Sequence, residues 1–121
     1  MNSLTAGDLS IDVEPDRSAA LTCNWRGKSN ERHPGEVLNP WFDRLLEAAA
    51  GAKLPLVMHF EKLEHFNSST ISTLIRLIQG ARGKGVALTI SYDSNVRWQR
   101  LSFDALRVFD KNDELFRLRS V

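Results

Sequence analysis

Short apolar stretches bounded by turn residues recur along the chain and predict β-strands. Two of them near the N-terminus are separated by "EPDRS", in which Pro15 and Asp16 supply turn chemistry, so we expect a hairpin. A nearly continuous apolar run, "LPLVMHFEKL", is typical of a central strand that is covered on both faces. The strands are predicted at residues 9–13, 19–25, 54–63, 86–92 and 115–118.

Two of the segments between the predicted strands have apolar residues at helical spacing and predict α-helices. Asn39 can cap the first helix, Pro40 fits its first turn, and Gly51 ends it. Asn67 can cap the second helix, and the glycines of residues 80–85 close it. The apolar stripes are Trp41, Leu45, Leu46 and Ala49 in the first helix, and Ile71, Leu74, Ile75 and Ile78 in the second.

A third helix is predicted after the strand at 86–92, with Asp93 or Ser94 as its cap. A polar loop is expected at residues 27–36. Because strands and helices alternate after an N-terminal hairpin, the sequence predicts one α/β domain over residues 1–121 with a mixed sheet. The stripe of the third helix that is expected to face the core is Trp98, Leu101, Ala105 and Phe109.

Charge and hydropathy narrow the classes of function. The 16 basic and 15 acidic residues are spread through the chain, so no basic stripe predicts binding to nucleic acid or to acidic lipid. No apolar run approaches the roughly 20 residues that span a bilayer, and the polar start does not resemble a signal peptide. Cys23 is the one cysteine, which excludes an internal disulfide and suits a reducing compartment. We therefore expect a cytoplasmic protein without direct membrane insertion.

Residues with catalytic or metal-binding chemistry are scattered. His33, His59 and His65 lack the i, i+4 spacing of a helical metal pair, and a single cysteine cannot supply a thiolate site. The glycines near residue 80 follow a helix, whereas a phosphate loop stands between a strand and a helix. The sequence has no G-x-S-x-G elbow. We therefore expect a protein that is not an enzyme and that uses no cofactor or metal.

Residues 67–70, "NSST", stand between the central apolar run and the second helix, and they allow two interpretations. In the first, Asn67 and the hydroxyls only cap the helix. In the second, a serine of the first helical turn is exposed where the helix dipole and unpaired N–H groups would stabilise an added phosphate. The pattern alone leaves both interpretations open.

The segment "LVMHFEKLEHFNSSTISTLIRL" resembles the core of the STAS family, which has the fold of bacterial anti-sigma factor antagonists. In that family an apolar strand of the form V-L-D-L leads to a D-S-[ST]-G turn and an apolar helix. The later "VALTISYDSNVRWQRLSFDAL" is similar to the next strand and helix of the family, so the likeness covers residues 54–109 and, loosely, the hairpin. The resemblance implies a STAS-like mixed β-sheet with an N-terminal hairpin and packed helices.

In the STAS family, a partner kinase phosphorylates the first serine of the turn and a phosphatase reverses the reaction. The resemblance implies that this serine is Ser68, with Ser69 and Thr70 as alternatives. Asn67 and His59, at the positions of the family's turn and strand acids, complete the implied switch turn. The implied partners are an anti-sigma-type serine/threonine protein kinase and a PP2C-like phosphatase. A branch of STAS-like regulators whose turn resembles N-[ST]-S-S-I acts on a diguanylate cyclase, which is the alternative effector.

Two aromatic residues of the third helix bear on partner binding. In similar domains this helix flanks the partner surface, so Phe103 and Trp98 are the candidates for partner binding. An exposed Phe103 would fit a docking anchor, whereas Trp98 can also be a core residue. His59 also has two interpretations, as a hydrogen-bonded histidine of the sheet or as a neighbour of the phosphoserine. The functional alternative to a partner switch is a constitutive structural or transport-accessory STAS module, in which the turn is only a helix cap.

Overall fold

Seven strands form one mixed sheet within residues 2–121, which are the residues that the computed structural model describes. The strands are β1 (Leu4–Ala6), β2 (Leu9–Val13), β3 (Leu21–Ser29), β4 (Leu56–His59), β5 (Leu63–Phe66), β6 (Leu88–Tyr92) and β7 (Phe116–Ser120). The helices are α1 (Gly35–Ala52), α2 (Ser68–Gly83) and α3 (Arg97–Asp104), which runs directly into a 3₁₀ helix at Ala105–Phe109.

The strand order is β1-β2-β3-β4-β6-β7, and β5 also pairs with β3. The pairs β1–β2 and β2–β3 are antiparallel, whereas the other strand pairs are parallel. The predicted mixed sheet with an N-terminal hairpin is therefore confirmed. β1, a three-residue edge strand, has no counterpart among the predicted strands.

One face of the sheet packs against α1 and α2. Cys23 and Trp25, at alternate positions of β3, point to this face and are at most 1% exposed, and the Trp25 ring lies 6.0 Å from that of Phe42 on α1. Burial raises the pKa of the Cys23 thiol to about 12, so this cysteine stays a neutral core residue. The intervening positions, such as Asn24 and His59, lie on the opposite face and remain partly exposed.

The apolar run of residues 54–63 contributes to two strands rather than one. β4 pairs with the first half of β3, and β5 pairs with its second half. Between β4 and β5 the chain leaves the sheet in a short connection at residues 60–62. Gly27 lies where the register of β3 shifts; its φ is +83°, and a Cβ there would be 2.1 Å from the carbonyl oxygen of Asp8. The prediction of a single strand is wrong because apolar periodicity does not show where a strand changes its place along a partner.

The buried side chain of Gln99 joins α3 to the connection between β4 and β5. Its Nε2 donates to the carbonyl oxygens of Phe60 at 2.8 Å and Leu63 at 3.1 Å. Its Oε1 accepts from the backbone N–H of Asp93 at 2.8 Å. These bonds satisfy both ends of an amide that is fully buried. Two segments that are distant in sequence, α3 and the connection between β4 and β5, are therefore joined by one side chain.

α1 begins earlier than predicted, and Asn39 is not its cap. The helix starts at Gly35, directly after Pro34, whose φ of −63° already has a helical value. Asn39 lies within the helix, and its buried Oδ1 has no hydrogen-bond partner among residues 2–121. Pro40 also lies inside the helix rather than at its start.

Only part of the α3 stripe that was expected to face the core does so, since Trp98 and Phe109 are half-buried against it and the other two members are not. α3 and the 3₁₀ helix bury Phe103 and Leu106, whereas Leu101 is 58% exposed and Ala105 is exposed as well. The Phe103 ring stacks on that of Tyr92 with a centroid distance of 5.2 Å. This aromatic contact turns the side of the helix that carries Phe103 toward the core, and Leu101 therefore lies on the outer side.

Asp93 and Ser94 do not cap α3. The residue before the helix is Val96, which makes no side-chain capping bond, and the Asp93 carboxylate instead accepts from the N–H of Asn95 at 2.9 Å. The prediction of a capped start is wrong because the polar residues form a turn of their own ahead of the helix. Gln99, one turn into α3, is the residue that holds this end of the helix in place.

We predict that Gln99→Leu lowers the free energy of unfolding by about 1–3 kcal/mol, because buried carbonyl groups and a backbone N–H lose their partner. Urea unfolding followed by circular dichroism measures the change. Gln79→Leu, on the exposed face of α2, is the control and should stay within about 0.5 kcal/mol of the parent. Equal effects of the two substitutions would contradict the structural role of Gln99.

Candidate functional site

The side chain of Asn67 begins α2 at the end of β5. Its Oδ1 accepts from the backbone N–H of Thr70 at 2.9 Å, which is the capping bond that the sequence predicted. Its Nδ2 donates to the carbonyl oxygen of Glu31 at 2.9 Å, in the loop that follows β3. Asn67 thus caps the helix and ties it to a neighbouring loop. We refer to residues 67–70 as the switch turn.

Thr70 carries the one buried hydroxyl of the switch turn. Its side chain donates to Asn67 Oδ1 at 2.8 Å, and its Oγ1 lies 2.7 Å from Ser29 Oγ. Because Thr70 has a single hydroxyl hydrogen, Ser29 is the donor in the second bond. Thr70 is 0% exposed and Ser29 is 2% exposed, so this pair joins α2 to β3 inside the core. Thr70 is therefore a structural residue of the turn.

Ser68 and Ser69 are the exposed hydroxyls of the switch turn. Neither hydroxyl has a hydrogen-bond partner within residues 2–121, and their backbone N–H groups also lack an acceptor there. The first turn of α2 contains no acidic residue. Unpaired N–H groups at a helix start, together with the helix dipole, favour negative charge at this position.

His59 lies on β4, away from the switch turn. The partner of His59 on the neighbouring strand β3 is Asn24, whereas the partner of Phe66, which lies next to the turn, is Ser29. These pairs are five positions apart along β3, which is about 16 Å at a strand rise of about 3.3 Å per residue. The expectation that His59 completes the switch turn is therefore wrong, because β5 carries the chain onward before the turn begins. The alternative interpretation, a hydrogen-bonded histidine of the sheet, fits the structure.

Ser91, His59 and Glu61 form a hydrogen-bonded group where β4 and β6 end. Ser91 Oγ lies 2.5 Å from His59 Nδ1 and 2.5 Å from Glu61 Oε1. Because a carboxylate only accepts, the Ser91 hydroxyl donates to Glu61 and receives the hydrogen of His59 Nδ1. A nucleophilic serine instead donates to its base and is open to substrate, whereas Ser91 is fully buried. The group satisfies polar side chains of the sheet and does not have the arrangement of a hydrolase triad.

The two aromatic residues considered for partner binding occupy different environments. Phe103 is fully buried against Tyr92 and Phe66, so the expectation of an exposed docking anchor is wrong. Trp98 is half-buried, and its ring meets that of Phe66 edge-on with a centroid distance of 5.1 Å. Phe66 ends β5 directly before the switch turn, so Trp98 marks the part of α3 that lies beside the turn.

No helix within the described part of the chain combines the length and the apolar character that crossing a membrane requires.

Solved structures share this arrangement of strands and helices over nearly the whole chain. One is a chain in the crystal structure of the diguanylate cyclase SiaD in complex with its activator SiaC from Pseudomonas aeruginosa. It is 16% identical to this chain, with a TM-score of 0.61 and 98% of both chains covered.

The second is an uncharacterised protein of the DUF3478 family with a SpoIIAA-like fold from Shewanella loihica PV-4. It is also 16% identical, with a TM-score of 0.54, and the likeness covers 96% of this chain and 88% of that one. This chain has a SpoIIAA-like fold. The STAS-like fold that the sequence predicted is therefore confirmed. No protein-family model and no curated protein sequence matches the chain.

Within this SpoIIAA-like fold, the cap of α2 can be tested by a pair of substitutions. We predict that Asn67→Ala lowers the free energy of unfolding by about 1 kcal/mol, because the N–H and the hydroxyl of Thr70 lose their side-chain acceptor. Asn67→Asp keeps an acceptor but loses the donor to Glu31, so its effect should be smaller. Urea denaturation of both variants, with the exposed Asn30→Ala as control, gives the comparison. An unchanged stability of Asn67→Ala would show that the cap does not hold the helix.

Proposed function

We propose that this chain is a non-catalytic regulatory protein of a bacterial partner-switching pathway, switched by reversible phosphorylation of Ser68. The observation that carries the proposal is a contrast within the switch turn. The Thr70 hydroxyl is buried and bonded, whereas the Ser68 hydroxyl is exposed and has no partner among residues 2–121. A hydroxyl that the fold does not use can be modified without loss of a structural bond. Ser68 also stands where STAS-like switch turns carry the modified serine.

The charge around the turn supports a phosphate on Ser68. The N–H groups of the first turn and the helix dipole stabilise a negative charge there by about 0.3–1 kcal/mol. No acidic side chain of that turn opposes it, and the cap at Asn67 is neutral. Phosphorylation adds nearly two negative charges to this surface. The fold therefore tolerates the modification, while a partner that docks on the turn meets a different charge.

The proposed partners are the anti-sigma-type serine/threonine protein kinase and the PP2C-like phosphatase that the family resemblance implies, together with a downstream effector. A chain of the same fold occurs in a complex between a diguanylate cyclase and its activator. The "NSSTI" sequence of the turn resembles the STAS-like branch that acts on such a cyclase. These two observations favour a diguanylate cyclase over an anti-sigma factor as the effector. We place the protein in the cytoplasm, where such partners act.

The decisive experiment is phosphopeptide mapping after incubation of the purified protein with a kinase encoded beside its gene. We expect the phosphate label on Ser68. We expect Ser68→Ala to abolish the labelling, while the partner still binds this variant. Ser68→Asp should weaken the affinity for the partner by about tenfold or redirect the complex, because a carboxylate at this position opposes a partner surface that fits a neutral hydroxyl. The unfolding transition of both variants should change little.

Ser69→Ala is the matched control, since its exposed hydroxyl points about 100° away around the helix. It should leave both the labelling and the binding unchanged. Label on Ser69 would move the switch by one residue. An unlabelled turn would instead favour the constitutive or transport-accessory module, in which residues 67–70 only cap the helix.

A further inference from the structure

An apolar stripe runs along the outer side of α3 and the 3₁₀ helix. Its members, at the spacing 3, 4 and 3, are Trp98, Leu101, Ala105 and Val108. Leu101 is 58% and Val108 is 72% exposed, Ala105 is exposed, and Trp98 is half-buried. We name these four residues the docking stripe.

Trp98 packs partly against the core, whereas the other three members of the docking stripe are exposed and do not fill it. The inner side of the same segment already buries Gln99, Phe103 and Leu106. A helix at the surface of a domain ordinarily has one apolar side and one polar side. This segment has apolar side chains on both, and two large ones, Leu101 and Val108, are exposed on the outer side beside Ala105 and the half-buried Trp98. Exposed apolar side chains that are grouped in this way favour an interaction surface.

The helical segment that carries the docking stripe has more basic than acidic side chains, and Asp93 and Asp110 lie beyond its two ends. Residues 97–109 contain three arginines and a single aspartate, Asp104. Asp104 is paired with Arg107 at 3.1 Å. The Arg100 guanidinium donates only to the carbonyl oxygen of Ser94, and the Arg97 side chain has no hydrogen bond or ion pair within residues 2–121. The end of the stripe near the switch turn thus carries two arginine charges that no carboxylate of the described chain neutralises.

We propose that the docking stripe binds an amphipathic α-helix of a partner protein whose apolar side chains are flanked by acidic residues. A helix presents apolar side chains every three or four residues, and this spacing matches that of the stripe, so the two rows can interdigitate. The arginines at positions 97 and 100 set the preference for acidic flanks.

This inference deepens the proposed function, because the docking stripe begins beside the switch turn. Trp98 contacts Phe66, and Phe66 is separated from Ser68 by a single residue. A phosphate on Ser68 would therefore stand near the end of an acidic helix bound to the stripe. The two like charges repel, which gives the modification a direct physical effect on partner binding.

A second copy of this chain fits the surface less well, because it would bring arginines against arginines. A lipid surface also fits less well. The inner side of α3 is held in the core by Gln99 and Phe103, so the helix cannot sink into a bilayer to the roughly 5–10 Å that interfacial helices reach. Both occupants are tested as competing outcomes.

The test uses the full chain and two synthetic amphipathic helices of about five turns, with the same leucine stripe and with either glutamate or lysine flanks. Calorimetry is expected to show that the glutamate-flanked peptide binds about tenfold more tightly than the lysine-flanked one. The double variant Leu101→Asp/Val108→Asp should weaken this binding at least about tenfold. Val37→Asp, which changes a 45% exposed valine of α1, is the matched control and should bind as the parent does.

Charge reversal sharpens the test. Arg97→Glu/Arg100→Glu should exchange the order of the two peptides, and equal binding of both peptides to the parent chain would overturn the proposal. It would also be overturned by self-association that Leu101→Asp abolishes, or by co-sedimentation with phosphatidylglycerol vesicles that the same change removes.

Ser68→Asp separates this inference from the proposed function. Weaker binding of the glutamate-flanked peptide to this variant supports the coupling of the docking stripe to the switch. Unchanged peptide binding would refute that coupling. Whether the stripe binds an acidic helix at all is decided by the peptide titrations of the parent chain. Phosphorylation of Ser68 is judged by peptide mapping alone, so either proposal can fail without the other.

Discussion

The position of α2 depends on a series of side-chain hydrogen bonds that cross from the helix to β3 and the loop beyond it. Ser29 donates to Thr70, Thr70 donates to Asn67, and Asn67 donates to the carbonyl oxygen of Glu31. The members are linked through the buried Thr70 hydroxyl, so the loss of any one side chain would remove a hydrogen bond from its neighbour. The exposure of Ser68 and Ser69 follows from this constraint, because the residues on both sides of them are fixed.

The sequence was most informative where structure is decided by neighbouring residues. The strand predicted at residues 9–13 is observed as β2, since turn residues close to it define the hairpin. The capping bond of Asn67 to Thr70 spans three residues, and the residue types alone indicate it. The likeness to STAS domains rests on the same local segment. For these elements, short-range chemistry and the final fold agree.

Contacts between distant segments were not predictable in the same way. Glu31 meets Asn67 across 36 positions and Ser29 meets Thr70 across 41, and no spacing in the sequence relates them. The orientation of α3 was missed for another reason. Its sequence has two apolar sides, and periodicity cannot choose between them. The stacking of Phe103 on Tyr92 makes that choice, and it depends on where β6 lies.

The fixed geometry of the turn has a consequence for how fast the proposed switch at Ser68 would act. Switches that work by moving a loop or refolding a segment add a step of microseconds to seconds between the chemical event and its effect. The hydrogen bonds that shape this turn do not involve the Ser68 hydroxyl, so a phosphate there needs no rearrangement of the backbone. The new charge would be presented as soon as the phosphate is attached. Such a switch would have no slow conformational step of its own. Its phosphorylated fraction at any moment would be set by the opposing rates of the kinase and the phosphatase.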